Sequence, residues 1–407
     1  MSQTTQHEIH PYEIKIQNTL KQCRRDLSEA NYDLILKYDM AMIRDTLALA
    51  TRNKHLEILL SLSRMLKKDW TCVSKDDIDR LVYEIMKKYS MDGKETHTTW
   101  DHKKILKIFF RWFKLGSRNF SDVGNPIETD KIKLKRVKNK LVREDLLTDE
   151  DIQKILKCTL HPRDRALFSV QAEAGTRPGE ILSLRIKDVK LTQYGAKISV
   201  DGKTGARNVL IVNSVPDLMT WLDVHPFRGD TTSPLWPVLQ QGERYGKAMD
   251  WSSVRHQLQD TVRRTGIKKR ISMNLFRHSA ATKAAKYLTE SQLRIRQGWA
   301  SDSKMPSVYV HLINADVDNA YLSHLGIRSE EIEPALKPKI CVICTSPNPI
   351  DSELCHRCGK SLDLASAENM QENYETLLKQ EVERENHSLR LELDELKNIV
   401  KTITSKI

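Results

Sequence analysis

The sequence predicts a mainly α chain with one small antiparallel β element, an α+β class, and three observations carry that expectation. Apolar residues recur at helical spacing through roughly the first 116 residues, two β-branched runs flank a glycine-containing turn around residue 203, and helical patterning resumes from about Ser252 to Leu325. With 407 residues the chain is long enough for two or three domains, each with its own core.

The elements follow in order. Helical spacing is clear in "HLEILLSLSRMLKKDW", in "KDDIDRLVYEIMKKY" behind Ser74 as an N-cap, and in "KKILKIFFRWFKL". The last stretch holds Phe109, Phe110, Trp112 and Phe113, which read as the core of a helical bundle rather than as a stacking surface for bases. Residues 1–130 are therefore expected to form a helical N-terminal domain. In "LLTDEDIQKILK", Thr148 as N-cap with Asp151 three residues on approximates a capping box and opens a second domain, residues 147–330. Inside it, "AKISVDGKTGARNVLIV" places Gly202 and Gly205 between two strand-like runs, which is hairpin chemistry. A Pro-containing stretch near Pro334 to Pro338 separates the tail.

Charge sets the class of partner. Lys and Arg number 66 against 54 Asp and Glu, a net charge of +12, so the surface attracts polyanions. The run "KIKLKRVKNKLVR", inside a linker at residues 131–146, has seven bases and no acid: Lys131, Lys133, Lys135, Arg136, Lys138, Lys140 and Arg143. It reads either as a solvated linker or as a strap on a phosphate backbone. No apolar stretch approaches the ~18 residues a membrane helix needs, and the N-terminus lacks a hydrophobic signal core, so an intracellular, cytoplasmic protein without a membrane partner is expected.

Seven cysteines in a reducing compartment are not a disulfide framework. Four of them, Cys341, Cys344, Cys355 and Cys358, have the spacing C-x2-C-x10-C-x2-C of a zinc ribbon at residues 339–362, where four thiolates would hold a structural zinc ion. Beyond it, residues 366–407 carry a heptad stripe: Val382, Leu389, Leu396 and Ile403 in one row, Asn386, Leu393, Val400 and Ile407 in the other. That stretch reads as a parallel coiled coil with a register-fixing Asn, or as a single amphipathic helix docked on its own domain.

The second domain also contains four places that ask for one explanation. In "EAGTRPGEILSL", Pro178 suits the first position of a helix, which puts Arg177 at an anion-favouring N-terminus with Glu180 placed to orient it. Lys203 sits in the hairpin turn, where its side chain could reach a ligand. "SMNLFRHSAATKAAK" plants Arg277 and His278 among Leu275, Phe276, Ala280 and Ala281, with no acid nearby in sequence to pair a buried cation. "RQGWASDSKMPSVYVHL" sets Trp299 after Gly298 and Tyr309 three residues past Pro306.

Taken together, "GTRPGE", "GKTG", "NLFRHS", "GWASD" and "VYVHL" fall in the order of boxes that marks the tyrosine recombinases, or phage integrases, and the domain resembles that family over about Leu147 to Leu325. The wording of the boxes is most similar to archaeal integrases. The resemblance implies a helical core-binding domain followed by a DNA breaking-rejoining catalytic domain, acting on double-stranded DNA as a dimer or tetramer, at the nucleoid. It implies a site-specific recombinase that cleaves through a 3′-phosphotyrosine bond and needs no cofactor for catalysis. Tyr309 would be the nucleophile, Arg177 and Arg277 the phosphate-binding forks, Lys203 the general acid and Trp299 an indole N–H donor, with Glu180 and His278 in support. Asn274 stands where the family usually has His; it could hold a hydrogen bond to the phosphate or to Tyr309 but cannot accept a proton near neutral pH, so the base role is expected to be weakened or to pass to water, with His278 lying nearer the site as the other outcome. That departure keeps a recombinase-derived DNA-binding protein open as an alternative, beside topoisomerase-like relaxation.

Overall fold

The computed structural model describes residues 11–135, 137, 143–202, 204–311, 325, 337–362, 379 and 382–384. The chain divides into two compact units, one of residues 1–145 with 248–251, the other of the remainder.

In the first unit, helices α1 (Tyr12–Asp26), α2 (Glu29–Arg44), α3 (Leu49–Leu66), α4 (Lys75–Tyr89), α5 (His97–Leu115) and the short α6 (Phe120–Val123) enclose one core. Ser74 caps α4 in a reciprocal box with Asp77, so the predicted start is a real one. The aromatics of α5 point inward as their spacing predicts: Phe109 and Phe110 are fully buried, and Trp70 packs edge-on against both at 5.2 and 5.7 Å. Each such ring withdrawn from water stabilises by roughly 1.5–3 kcal/mol. Two buried polar atoms in this core are matched, Trp70 Nε1 to Ser63 Oγ at 2.8 Å and Tyr38 OH to His55 Nδ1 at 2.8 Å.

The second unit opens at α7 (Asp149–Lys157), where Thr148 and Asp151 form the capping box outright. Helix α8 (Pro162–Ala174) follows, with Pro162 at its first turn and Ala166, Leu167, Phe168, Val170 and Ala174 buried around its whole girth. It is the central post of the unit. Phe168 stacks on Phe276 of α12 (Met273–Ala285) with centroids 6.3 Å apart. Short α9 (Pro178–Leu182) leads to a three-stranded antiparallel meander, β1 (Val189–Thr192), β2 (Gly195–Gly202) and β3 (Gly205–Ile211). The expected hairpin is β2–β3, with Gly202 opposite Gly205. The additional strand β1 pairs Val189 with Ile198, and its four residues are too short to carry a periodic signal. Ala196, Ile198, Val200, Val209 and Ile211 turn to the core. Helices α10 (Val215–Asp223), α11 (Trp251–Thr265), α13 (Glu290–Gln297) and α14 (Met305–His311) complete this part.

The tail begins with a two-stranded ladder, β4 (Lys339–Ile340) and β5 (Pro347–Asn348). It is fastened to the second unit by Asp351, whose two carboxylate oxygens accept from Arg165 at 2.9 and 2.5 Å while the same guanidinium reaches Asp217 at 2.7 Å. Among the described linker residues Lys131, Lys133 and Lys135 are exposed. Arg136, Lys138 and Lys140, the side chain of Arg143, Lys203 and nearly all of the heptad stretch lie outside the described residues, Val382 excepted. No described helix is long and apolar enough to cross a membrane.

Candidate active site

Four elements supply the site. Arg177 stands immediately before α9, with φ −66° and ψ 142°, because Pro178 biases its predecessor to extended backbone. Its backbone N–H donates to Glu180 Oε2 at 2.9 Å and its Nη1 to Oε1 at 2.7 Å. Nη2 donates to the Gly298 carbonyl at 2.5 Å. Its side chain nevertheless remains 30 % exposed, open to a ligand, whereas that of Glu180 is 3 % exposed.

Burial by itself would raise the Glu180 carboxyl, but hydrogen bonds and charge from Arg207 and Arg177 outweigh it and hold the group below its usual range. Glu180 is thus an anion with two guanidiniums on it, since Arg207 also donates to both of its oxygens at 2.7 and 3.2 Å. Arg207 was absent from the sequence-based set. Its signal, a base on the strand after the hairpin turn, is indistinguishable from a solvated strand residue until the sheet is folded.

Arg277 lies on α12 and is 7 % exposed. Among the described residues no carboxylate is paired with it. Its Nη1 donates to the Gly175 carbonyl at 2.9 Å and its Nη2 to the Gln297 carbonyl at 2.7 Å, the free C-terminal ends of α8 and α13. Burial, and then the nearby charge of Arg177, lowers its pKa to about 10, so it remains a cation at neutral pH. Two helix-end carbonyls thus hold the buried cation without a carboxylate among the described residues.

Tyr309 on α14 is 1 % exposed and its ring stacks on Trp299 with centroids 5.2 Å apart and planes 10° from parallel. Trp299 also lies under Arg277, whose Cζ is 5.7 Å from the indole centroid. The Tyr309 hydroxyl is 2.6 Å from His278 Nδ1. Burial pushes the phenol up to about 12 against the opposing charge of Arg277, while burial and Arg277 both hold His278 below its ordinary value. With both groups neutral, the Nε2–H tautomer of His278 accepts at Nδ1 from the Tyr309 hydroxyl, the direction that proton transfer from the phenol requires. Asn274, one helical turn upstream on α12, is exposed. In the folded chain the group on the Tyr309 hydroxyl is therefore His278, because α14 packs over the later turn of α12.

Lys203 lies outside the described residues, but its neighbours do not. A Cβ at Gly202 would stand 2.2 Å from Glu180 Oε1 and 3.4 Å from Arg177 Nη1, and Thr204 Oγ1 donates to the Gly298 carbonyl at 2.9 Å. The hairpin turn is pressed against the arginines. Arg177, Arg277, His278, Trp299 and Tyr309 are thereby gathered in one place from residues far apart in the chain.

A second cluster sits in the tail. The Sγ atoms of Cys341, Cys344, Cys355 and Cys358 all lie within 4.8 Å of one another, with closest pairs at 3.6 Å (Cys341–Cys358) and 3.5 Å (Cys344–Cys355), and none is disulfide-bonded. A tetrahedron with metal–sulfur bonds of ~2.3 Å has edges of ~3.8 Å, so the four thiolates fit a closed structural metal site.

Residues 145–315 match the phage integrase family. The chain is 21% identical over 276 residues to the tyrosine recombinase XerA of Saccharolobus solfataricus, covering 66% of this chain and 84% of that protein. Among solved structures, a lambda integrase dimer bound to a COC′ core site matches with TM-score 0.54 at 13% identity, over 70% of this chain and 77% of that one. The XerH recombinase in a post-cleavage complex with a palindromic difH substrate matches with TM-score 0.53 at 18% identity, over 76% and 88%. At those identities the structures speak for the fold. Residues 145–315 thus match the phage integrase family, and the chain shares the fold of these solved recombinases.

Proposed function

We propose that this protein is an active site-specific DNA recombinase. The observation that supports it best is the Tyr309–His278 hydrogen bond of 2.6 Å beside the buried, still-charged Arg277. Tyr309 Oη attacks a backbone phosphorus, forming a 3′-phosphotyrosine bond, while the bond to the 5′-oxygen breaks and releases a 5′-hydroxyl. The phenolic proton passes to His278, and Lys203 on the hairpin turn delivers a proton to the leaving oxygen. Arg177 and Arg277 stabilise the charge on the five-coordinate phosphorus, with the Trp299 indole N–H as a further donor. Attack by a 5′-hydroxyl from a second strand reverses the step, so bond energy is conserved and no nucleotide is consumed. Asn274 is left to bind the phosphate from the exposed turn of α12.

Double-stranded DNA is the partner in this reading, at the nucleoid, with copies of the chain paired as a dimer or tetramer on it. Lys131, Lys133 and Lys135 with the rest of the basic linker lie along the backbone. The four cysteines hold a structural zinc ion.

The test is covalent trapping on a library of nicked duplexes with randomised cores, in which the short fragment bearing the new 5′-hydroxyl, between the cleavage site and the nick, diffuses away. An active enzyme is captured on a subset of sequences, which also reports the site. Capture of Tyr309→Phe at the wild-type level would remove the assigned nucleophile, and binding without any capture would leave a recombinase-derived DNA-binding protein.

A further inference from the structure

The structure assigns to Arg207 a positioning role in the cleavage reaction, and the assignment rests on the reading of the domain as an active recombinase. Arg207 lies on β3, just past the hairpin turn. Its side chain is 10 % exposed. Two of its donors reach Glu180, and Nε donates to the Arg296 carbonyl at 3.0 Å. Three of its five N–H groups are thus committed, two of them to the carboxylate that also orients Arg177.

The turn that receives Arg207 serves the other arginines as well. Three consecutive carbonyls at the end of α13 each accept from a different guanidinium: Arg296 from Arg207, Gln297 from Arg277 and Gly298 from Arg177. These carbonyls lack intrahelical donors and sit at the negative end of the helix. Glu180 provides the other anchor, shared by Arg177 and Arg207. Thr204 joins the hairpin to the turn, and Arg207 joins it both to the turn and to Glu180. One guanidinium thus sets the register between the hairpin tip, Arg177 and the turn beneath Arg277.

Charge points the same way. Glu180 alone would neutralise Arg177, whereas with two guanidiniums on one carboxylate the group keeps a net positive charge for an anion. A lysine at 207 would restore that charge but could not reach Glu180 with a fork and Arg296 with a third donor.

The experiment compares the full-length wild type with Arg207→Ala, Arg207→Lys and Gly298→Ala. Gly298 has φ +62°, and a Cβ there would stand 2.5 Å from Arg207 Nη1, so this change displaces the guanidinium without deleting it. Trapping is measured on the duplexes recovered above, noncovalent DNA affinity by fluorescence anisotropy, and hydrogen exchange on the DNA-free protein. Arg207→Ala and Gly298→Ala should each slow trapping by about 10²-fold at unchanged affinity, the scale of an ångström-level misplacement. Exchange should rise in residues 195–211 and 296–299 in both. Trapping at the wild-type rate by either variant overturns the assignment, and full rescue by Arg207→Lys shows that charge suffices and overturns the two-anchor role. A wild type that is never trapped sinks the recombinase reading instead. In that case unchanged exchange in the hairpin of Arg207→Ala still overturns the anchoring.

Discussion

Arg277 illustrates how a single residue is held here. Its charge is buried, and its hydrogen-bond partners are two backbone carbonyls contributed by different helices. Arg277→Ala strands both acceptors at a cost of about 1–3 kcal/mol for each buried group left unpaired. The melting temperature should therefore fall by several degrees, at ~2–4 °C per kcal/mol for a domain of this size, as read by calorimetry. Arg277→Lys should not restore trapping, because one ammonium cannot imitate the fork. His278 gives a pH prediction. Its pKa is lowered, so the neutral, proton-accepting ring persists to more acidic solution than a free imidazole would. Single-turnover cleavage should accordingly fall only as pH drops below ~6.5, the ordinary imidazole value. His278→Gln should lose that acid limb and slow cleavage by roughly 10²–10⁴-fold. An unmoved limb in the variant would point to another base.

At the scale of the element, the β2–β3 hairpin is positioned by close packing rather than by its own strand pairing alone. Gly202 lies so near the buried Glu180 carboxylate that no side chain fits, with Glu180 itself fixed by two arginines. Gly202→Ala is expected to cost about 1–3 kcal/mol as an overpacked contact and to slow trapping more than it weakens DNA affinity. Urea unfolding beside trapping kinetics checks both. The cap of α7 provides the contrast. Thr148→Ala should cost about 1 kcal/mol with trapping kinetics unchanged, because the bonds of Asp151 to Lys269 and of the Leu147 N–H to Ser279 on α12 do not use the Thr148 hydroxyl.

For the whole molecule, the tail is a four-cysteine element that could hold a metal ion, fastened by an ion pair. The described ribbon has two-residue strands and few buried apolar side chains, so the thiolate cluster and the Asp351–Arg165 fork hold it. Native mass spectrometry should find one zinc per chain, and Cys355→Ser should lose it. Hydrogen exchange should then rise across residues 339–362 while α8 stays protected, since Arg165 keeps its bond to Asp217. If exchange in the ribbon stays at the wild-type level after chelation, the cluster is not a metal site.

The sequence by itself determined the local matters: helices from apolar spacing, caps at Ser74 and Thr148 from short-range hydrogen bonding, the hairpin from its glycines, and the four-cysteine spacing. It also placed Arg177, Arg277, His278, Trp299 and Tyr309 in recognisable boxes, because those strings are contiguous. Only the tertiary structure decided what each meets. That His278 rather than Asn274 faces the Tyr309 hydroxyl depends on which turn of α12 lies under α14. That Arg277 is answered by the ends of α8 and α13, and that Arg207 shares Glu180 with Arg177, depends on carbonyls and strands brought together from distant parts of the chain. Backbone carbonyls are identical at every position, so no residue type announces which of them a fold will leave free to hold a charge.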